Sequence, residues 1–169
     1  MYKVLILLFL MSSVFAAEET KLIEFKLEDQ HERKFTEADF RGYISVFIAS
    51  DRGGSAFNEL WASAIVDSLR DHTNFGDLKV EGVAHLGSVP FFLRGFVKGF
   101  FDKSDKQKSI LLDWKGIFNK TYSLIEDNTN ILIFNRDGIK LLHESGRELE
   151  PTKLQNVLEI LRTELDKDN

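Results

Sequence analysis

The stretch that most limits how this chain can fold is YISVFIA, residues 43–49, followed at once by SDRGGS. An apolar run of strand length, broken only by Ser45, reads as a strand buried on both faces, the usual state of a core strand in an α/β protein. Residues 56–69 then repeat at helical spacing through Phe57, Leu60, Trp61, Ala64 and Leu69. A buried strand running straight into an amphipathic helix implies layers of helix on sheet.

The rest of the chain repeats that alternation. Residues 25–28 and 33–35 are short strands around the polar turn Asp29-Gln30-His31-Glu32. Residues 78–84 and 109–112 are further strands, separated by an amphipathic segment at 91–101, and 115–124 is helical. Residues 131–134 lead through Asn135-Arg136-Asp137-Gly138, a hairpin turn, into 139–143. The last helix opens at Pro151, which suits a first helical position, and carries Leu154, Val157, Leu158, Leu161 and Leu165. The expected architecture is an α/β sandwich with a mixed central sheet.

Residues 1–16 have the layout of a signal peptide: Lys3, an apolar core over 4–11, and Val14-Phe15-Ala16 before the cleavage point. That core is shorter than the ~20 residues needed to span a bilayer. The expectation is an exported protein, periplasmic in a Gram-negative cell or otherwise secreted, whose single domain covers 17–169. No stable membrane insertion is expected once the signal is removed. The net charge of −5 and the lack of any Lys/Arg block argue against a nucleic-acid partner. The four histidines are scattered without metal-ligand spacing, so no metal or other cofactor is expected.

The order of these segments resembles the thioredoxin-like superfamily, in its peroxiredoxin and TlpA-type redoxin branch. The resemblance rests on FKLEDQHERKFTEADFRGYISVFIAS, on ILLDWKGIFNKTY with its D-x-x-G step, and on the closing hairpin ILIFNRDGIKLLHESG. It implies a thioredoxin-like α/β/α sandwich. It also places the family's two redox cysteines on Arg52 and Ser55, within Asp51, Arg52, Gly53, Gly54 and Ser55, and its cis-proline within Asn128-Thr129-Asn130. The chain contains no cysteine at all. Thiol–disulfide exchange and thiol peroxidation both need a thiolate, so neither can occur here. The chain is more similar still to the cysteine-free, exported YtfJ-like subgroup. That likeness bears on the fold more than on the function. With thiol chemistry excluded, the expectation is a non-catalytic module for a partner protein or a small polar or anionic ligand; an enzyme with non-thiol chemistry at the same junction, or a family-based redoxin assignment, is the alternative.

Two readings of SDRGGS follow from the residues. Gly53 and Gly54 could open backbone amides at a helix start to an anion, with Arg52 adding a charge-assisted contact. Alternatively Ser55 or Asp51 caps the helix and Arg52 pairs with Glu59. His85, Ser88 and Thr129 should converge on the same end of the sheet, since ligand sites in such sheets lie beyond the carboxyl ends of parallel strands. A Ser55–His85 pair would give non-thiol enzyme chemistry, though no G-x-S-x-G elbow is present. The segment FFLRGFVKGFF is expected to pack its Phe92, Phe96 and Phe100 face on the core. A partner-binding surface and shallow membrane contact are the alternatives.

Overall fold

The structure, a computed structural model, describes residues 20–167. The expected signal peptide, residues 1–16, lies outside them. The chain begins with an antiparallel hairpin, β1 (Lys26–Glu28) and β2 (Lys34–Thr36), and a 3-10 turn over Glu37–Phe40. Strand β3 (Ile44–Ser50) leads through a 3-10 turn at Ser55–Phe57 into helix α1 (Asn58–Leu69). Then come β4 (Leu78–His85), helix α2 (Arg94–Lys98), β5 (Ile110–Asp113) and helix α3 (Ile117–Tyr122). The chain closes with β6 (Thr129–Phe134), β7 (Lys140–Gly146) and helix α4 (Pro151–Leu165).

The five longer strands form one mixed sheet in the order β5-β4-β3-β6-β7. β3, β4 and β5 run parallel, while β6 and β7 are antiparallel additions. Every residue of β3 is buried, as its central place requires. Because side chains alternate along a strand, Ile44, Val46 and Ile48 enter one core with Ile131 and Ile133. Phe47 and Ala49 enter the other with Leu132 and Phe134. α1 and α4 cover the first face through Trp61, Ile65, Leu69, Val157, Leu161 and Leu165. α3 and the β1–β2 hairpin cover the second through Phe25, Leu27, Phe118 and Tyr122. The expected α/β/α sandwich with a mixed sheet is the observed one.

Local differences have local causes. On α1 the buried stripe is Trp61, Ile65, Leu69, an i, i+4, i+8 row, whereas the expected Leu60 is 49% exposed. Phe57 packs on the same core at the head of this row, and Leu60, one residue before Trp61, is turned about 100° round the helix away from it. On α4, Val157, Leu158, Leu161 and Leu165 are buried as expected. Asn135 makes the β6–β7 turn by accepting the Asp137 and Ile139 amides on its side-chain oxygen, and Gly138 supplies the positive φ of 75°.

Candidate functional site

Asp51 organises the strand-to-helix junction. Its Oδ1 accepts the Gly54 amide at 2.9 Å and its Oδ2 the Asp127 amide at 3.0 Å. Burial alone would raise its pKa. The amides of Asp127, Gly54 and Gly53, with His85 nearby, hold it below the usual carboxylate range. The expected cap by Asp51 or Ser55 is not formed, since neither the 3-10 turn nor α1 has a side-chain cap; Asp51 instead closes the turn ahead of the helix and ties in a loop from across the fold. Ser55 does not cap: its hydroxyl donates to the Arg52 carbonyl at 2.8 Å. Arg52 is exposed, and its expected partner Glu59 pairs instead with Lys108 at 2.6 Å.

The two glycines serve close approach. Neither has a positive φ; among the glycines only Gly42, Gly116 and Gly138 do. A β-carbon on Gly53 would overlap the Asp127 carboxylate, and one on Gly54 the backbone carbonyl of Asn128. The loop at 127–128 sits where those side chains would be. The Gly54 amide that an anion would need is engaged by Asp51, with a second carboxylate, Asp127, against Gly53.

Beneath the junction lies a buried polar network that sequence reasoning missed apart from Thr129. Thr129 is fully buried, and its hydroxyl lies 2.9 Å from Asn58 Oδ1 and 3.2 Å from the Gly54 carbonyl. Asn58 Nδ2 in turn donates to Ser50 Oγ at 2.8 Å. Asn130, also fully buried, donates to the Ile125 and Asn128 carbonyls and accepts the Ile125 amide. His143 Nε2 lies 2.9 Å from that same Asn130 oxygen, so it must be the donor. Burial, then Lys140, lowers the His143 pKa and favours the neutral ring. The available signal was weak: two asparagines inside apolar-patterned elements, where polar residues are unusual unless satisfied.

His85 ends β4 level with Asp113. Its ring packs on Gly116, which has φ 63° and where a β-carbon would lie 2.7 Å from His85 Cε1. His85 Nδ1 is buried without a partner among the described residues. No bond joins His85 to Ser55, whose hydroxyl is turned to Arg52, so the serine–histidine pair is not formed. Ser88 is exposed on the loop after β4. In the D-x-x-G step, Asp113 accepts the Ile117 and Phe118 amides and so caps α3, a structural duty. Among the described residues no group of three or more acidic or histidine side chains could hold a metal.

The phenylalanine segment is not a core helix. Only Arg94–Lys98 is α-helical, after a 3-10 turn at Phe91–Leu93. Phe92, Phe96 and Phe100 are 81%, 69% and 72% exposed, and Phe91 82%. The charged side chains turn inward instead. Arg94 stacks 5.3 Å over Trp114 and reaches its carbonyl, and Lys98 pairs with Glu32 at 2.9 Å. Gly95 and Gly99 lower helix propensity, and the inward ion pair and stack fix the face that remains.

Asp51→Asn keeps one oxygen acceptor and loses one of the two amide bonds. It should lower stability by about 1–2 kcal/mol and speed hydrogen exchange at one of the two amides, Gly54 or Asp127. Unchanged exchange at both would refute the bracing role.

A parallel β3-β4-β5 core, antiparallel β6-β7, and a polar junction at the β3–α1 crossing define a thioredoxin-like fold. Solved structures agree. The exposed lipoprotein thioredoxin Etrx1 of Streptococcus pneumoniae strain TIGR4 superposes with a TM-score of 0.62 at 16% identity, over 82% of this chain and 99% of its own. A SCO1/SenC family lipoprotein from Bacillus anthracis gives 0.60 at 10% identity, over 86% and 95%. The thioredoxin domain of a thiol-disulfide oxidoreductase from Bacteroides vulgatus gives 0.55 at 11%, over 85% and 96%. No family model matches the sequence, and no curated protein matches it. This chain shares the fold of those structures and carries no cysteine, so it has no thiolate for disulfide exchange or peroxidation.

Proposed function

We propose that this chain is an exported, non-catalytic thioredoxin-fold protein of the YtfJ-like kind, which recognises a partner protein through the β3–α1 junction. Its signal peptide is residues 1–16, and it works in the periplasm of a Gram-negative cell or outside the cell. The observation that carries this reading is the use of Asp51. Its carboxylate closes the turn and holds the 127–128 loop, while Arg52 stays exposed, with no ion pair among the described residues. A braced junction presenting one free guanidinium suits recognition, since Arg contributes strongly at protein interfaces. A small anion is less well served, because Asp51 already holds the Gly54 amide.

Purified protein should show no turnover of disulfide, peroxide or ester substrates. A photo-reactive residue at Ser55 should give one discrete adduct in the native envelope, lost with Arg52→Glu while the thermal melt is unchanged. Turnover by the wild type, or an adduct indifferent to Arg52→Glu, would refute the reading. Intact mass of the recovered protein should correspond to a chain starting near Ala17.

A further inference from the structure

We propose that the α2 segment is a shallow anchor for an anionic lipid surface, with Phe91, Phe92, Phe96 and Phe100 entering the boundary between headgroups and acyl chains. This does not depend on what the junction binds. The four rings are 69–82% exposed, so they stand clear of the body of the protein. Fluid apolar matter can surround such rings, whereas a protein partner would need a pocket for each.

The segment also inverts the usual pattern of a surface helix. Its cationic side chains are engaged, Arg94 against both the Trp114 and the Phe91 rings and Lys98 on Glu32, which leaves phenyl groups and Gly95 and Gly99 outermost. Phe96 and Phe100 brace each other edge-to-face at 4.8 Å. No helix among the described residues is long and apolar enough to cross a membrane, so contact would be superficial.

Charge decides which surface. The 91–115 stretch has six basic residues, Arg94, Lys98, Lys103, Lys106, Lys108 and Lys115, against Asp102, Asp105 and the buried Asp113. The whole chain has a net charge of −5, so the remainder is markedly acidic. Lys98 and Lys108 are paired with Glu32 and Glu59, while Lys103, Lys106 and Lys115 project into solvent and outnumber the exposed Asp102 and Asp105. An anionic surface would attract this end and repel the rest, which orients the molecule with its rings toward the lipid.

Because the chain has no cysteine, Phe96→Cys gives a unique site for an environment-sensitive fluorophore. On vesicles of phosphatidylglycerol mixed with phosphatidylcholine the label should brighten and shift to the blue. A label at Glu159→Cys on α4 should not, which separates this contact from tethering by the apolar residues near the N-terminus. High salt should weaken the response several-fold, as screening predicts. Adding Phe92→Ser and Phe100→Ser should reduce vesicle affinity about tenfold or more, with the thermal melt unchanged. No response at position 96, an equal response at 159, or the same response on phosphatidylcholine alone would overturn the proposal. So would a label that responds only to self-association or to an envelope protein, which would assign the face to a protein partner.

Discussion

Gly54→Ala should destabilise the protein by about 3 kcal/mol, at the upper end of what overpacking costs, while Gly53→Ala should cost about 1 kcal/mol or less. The two glycines are adjacent and neither has a positive φ, so propensity alone would treat them alike. Their surroundings differ. At position 53 the nearest obstacle is the end of the Asp127 side chain, which is exposed and can rotate toward its ion-pair partner Arg147. At position 54 the obstacle is the carbonyl, carbon and nitrogen of Asn128. That backbone cannot withdraw without disturbing Thr129 and Asn130, both fully buried and hydrogen-bonded to the junction and the 125–128 loop. Urea unfolding of the two variants measures the difference. Equal midpoints would show that the loop yields as readily as the side chain does.

That contrast marks the limit of what was legible in the sequence. Residues 44–49, the Asn135-Arg136-Asp137-Gly138 turn and Pro151 each state their structure locally, because strand burial, turn geometry and helix entry depend on near neighbours. The fold follows from their order. The glycine pair is different. Its reason lies in Asp127 and Asn128, more than seventy positions away, so Gly53 and Gly54 read equally well as open amides for an anion. The phenylalanine segment failed in the same manner. Helical spacing correctly separates Phe92, Phe96 and Phe100 from Arg94 and Lys98, but it cannot tell which set faces in. Here Trp114 and Glu32 supply partners for the cations, and the phenyl face is left outward. Asn58 and Asn130 were invisible for a related cause: a buried polar residue declares itself only once its partners are in place.

Glu81→Gln should abolish a loss of stability that the wild-type protein suffers as pH rises from about 4.5 to about 7. Glu81 stands opposite Phe47 on β4, on the face covered by the β1–β2 hairpin. Burial raises its pKa from the usual 4.5 to about 7, opposed by Arg33 and Lys79 and reinforced by Asp29. In the unfolded chain the group loses its proton near 4.5, while the folded protein keeps it until about pH 7. The folded state thus binds more protons across that window, and stability must fall with rising pH through it. Below 4.5 the stabilisation relative to high pH is fully present, and above 7 it is gone. Since one pKa unit corresponds to about 1.4 kcal/mol, the loss from this partly buried group is about 2–3 kcal/mol. Glutamine has the shape of the protonated acid and no charge to desolvate. The variant should match the wild type near pH 4.5 and exceed it by about 2–3 kcal/mol at pH 8. Melting curves at both pH values, with Asp29 and Arg33 left intact, test this directly. Parallel pH profiles for the two proteins would mean that Glu81 is solvated in the folded state and that the hairpin does not seal that face of the sheet.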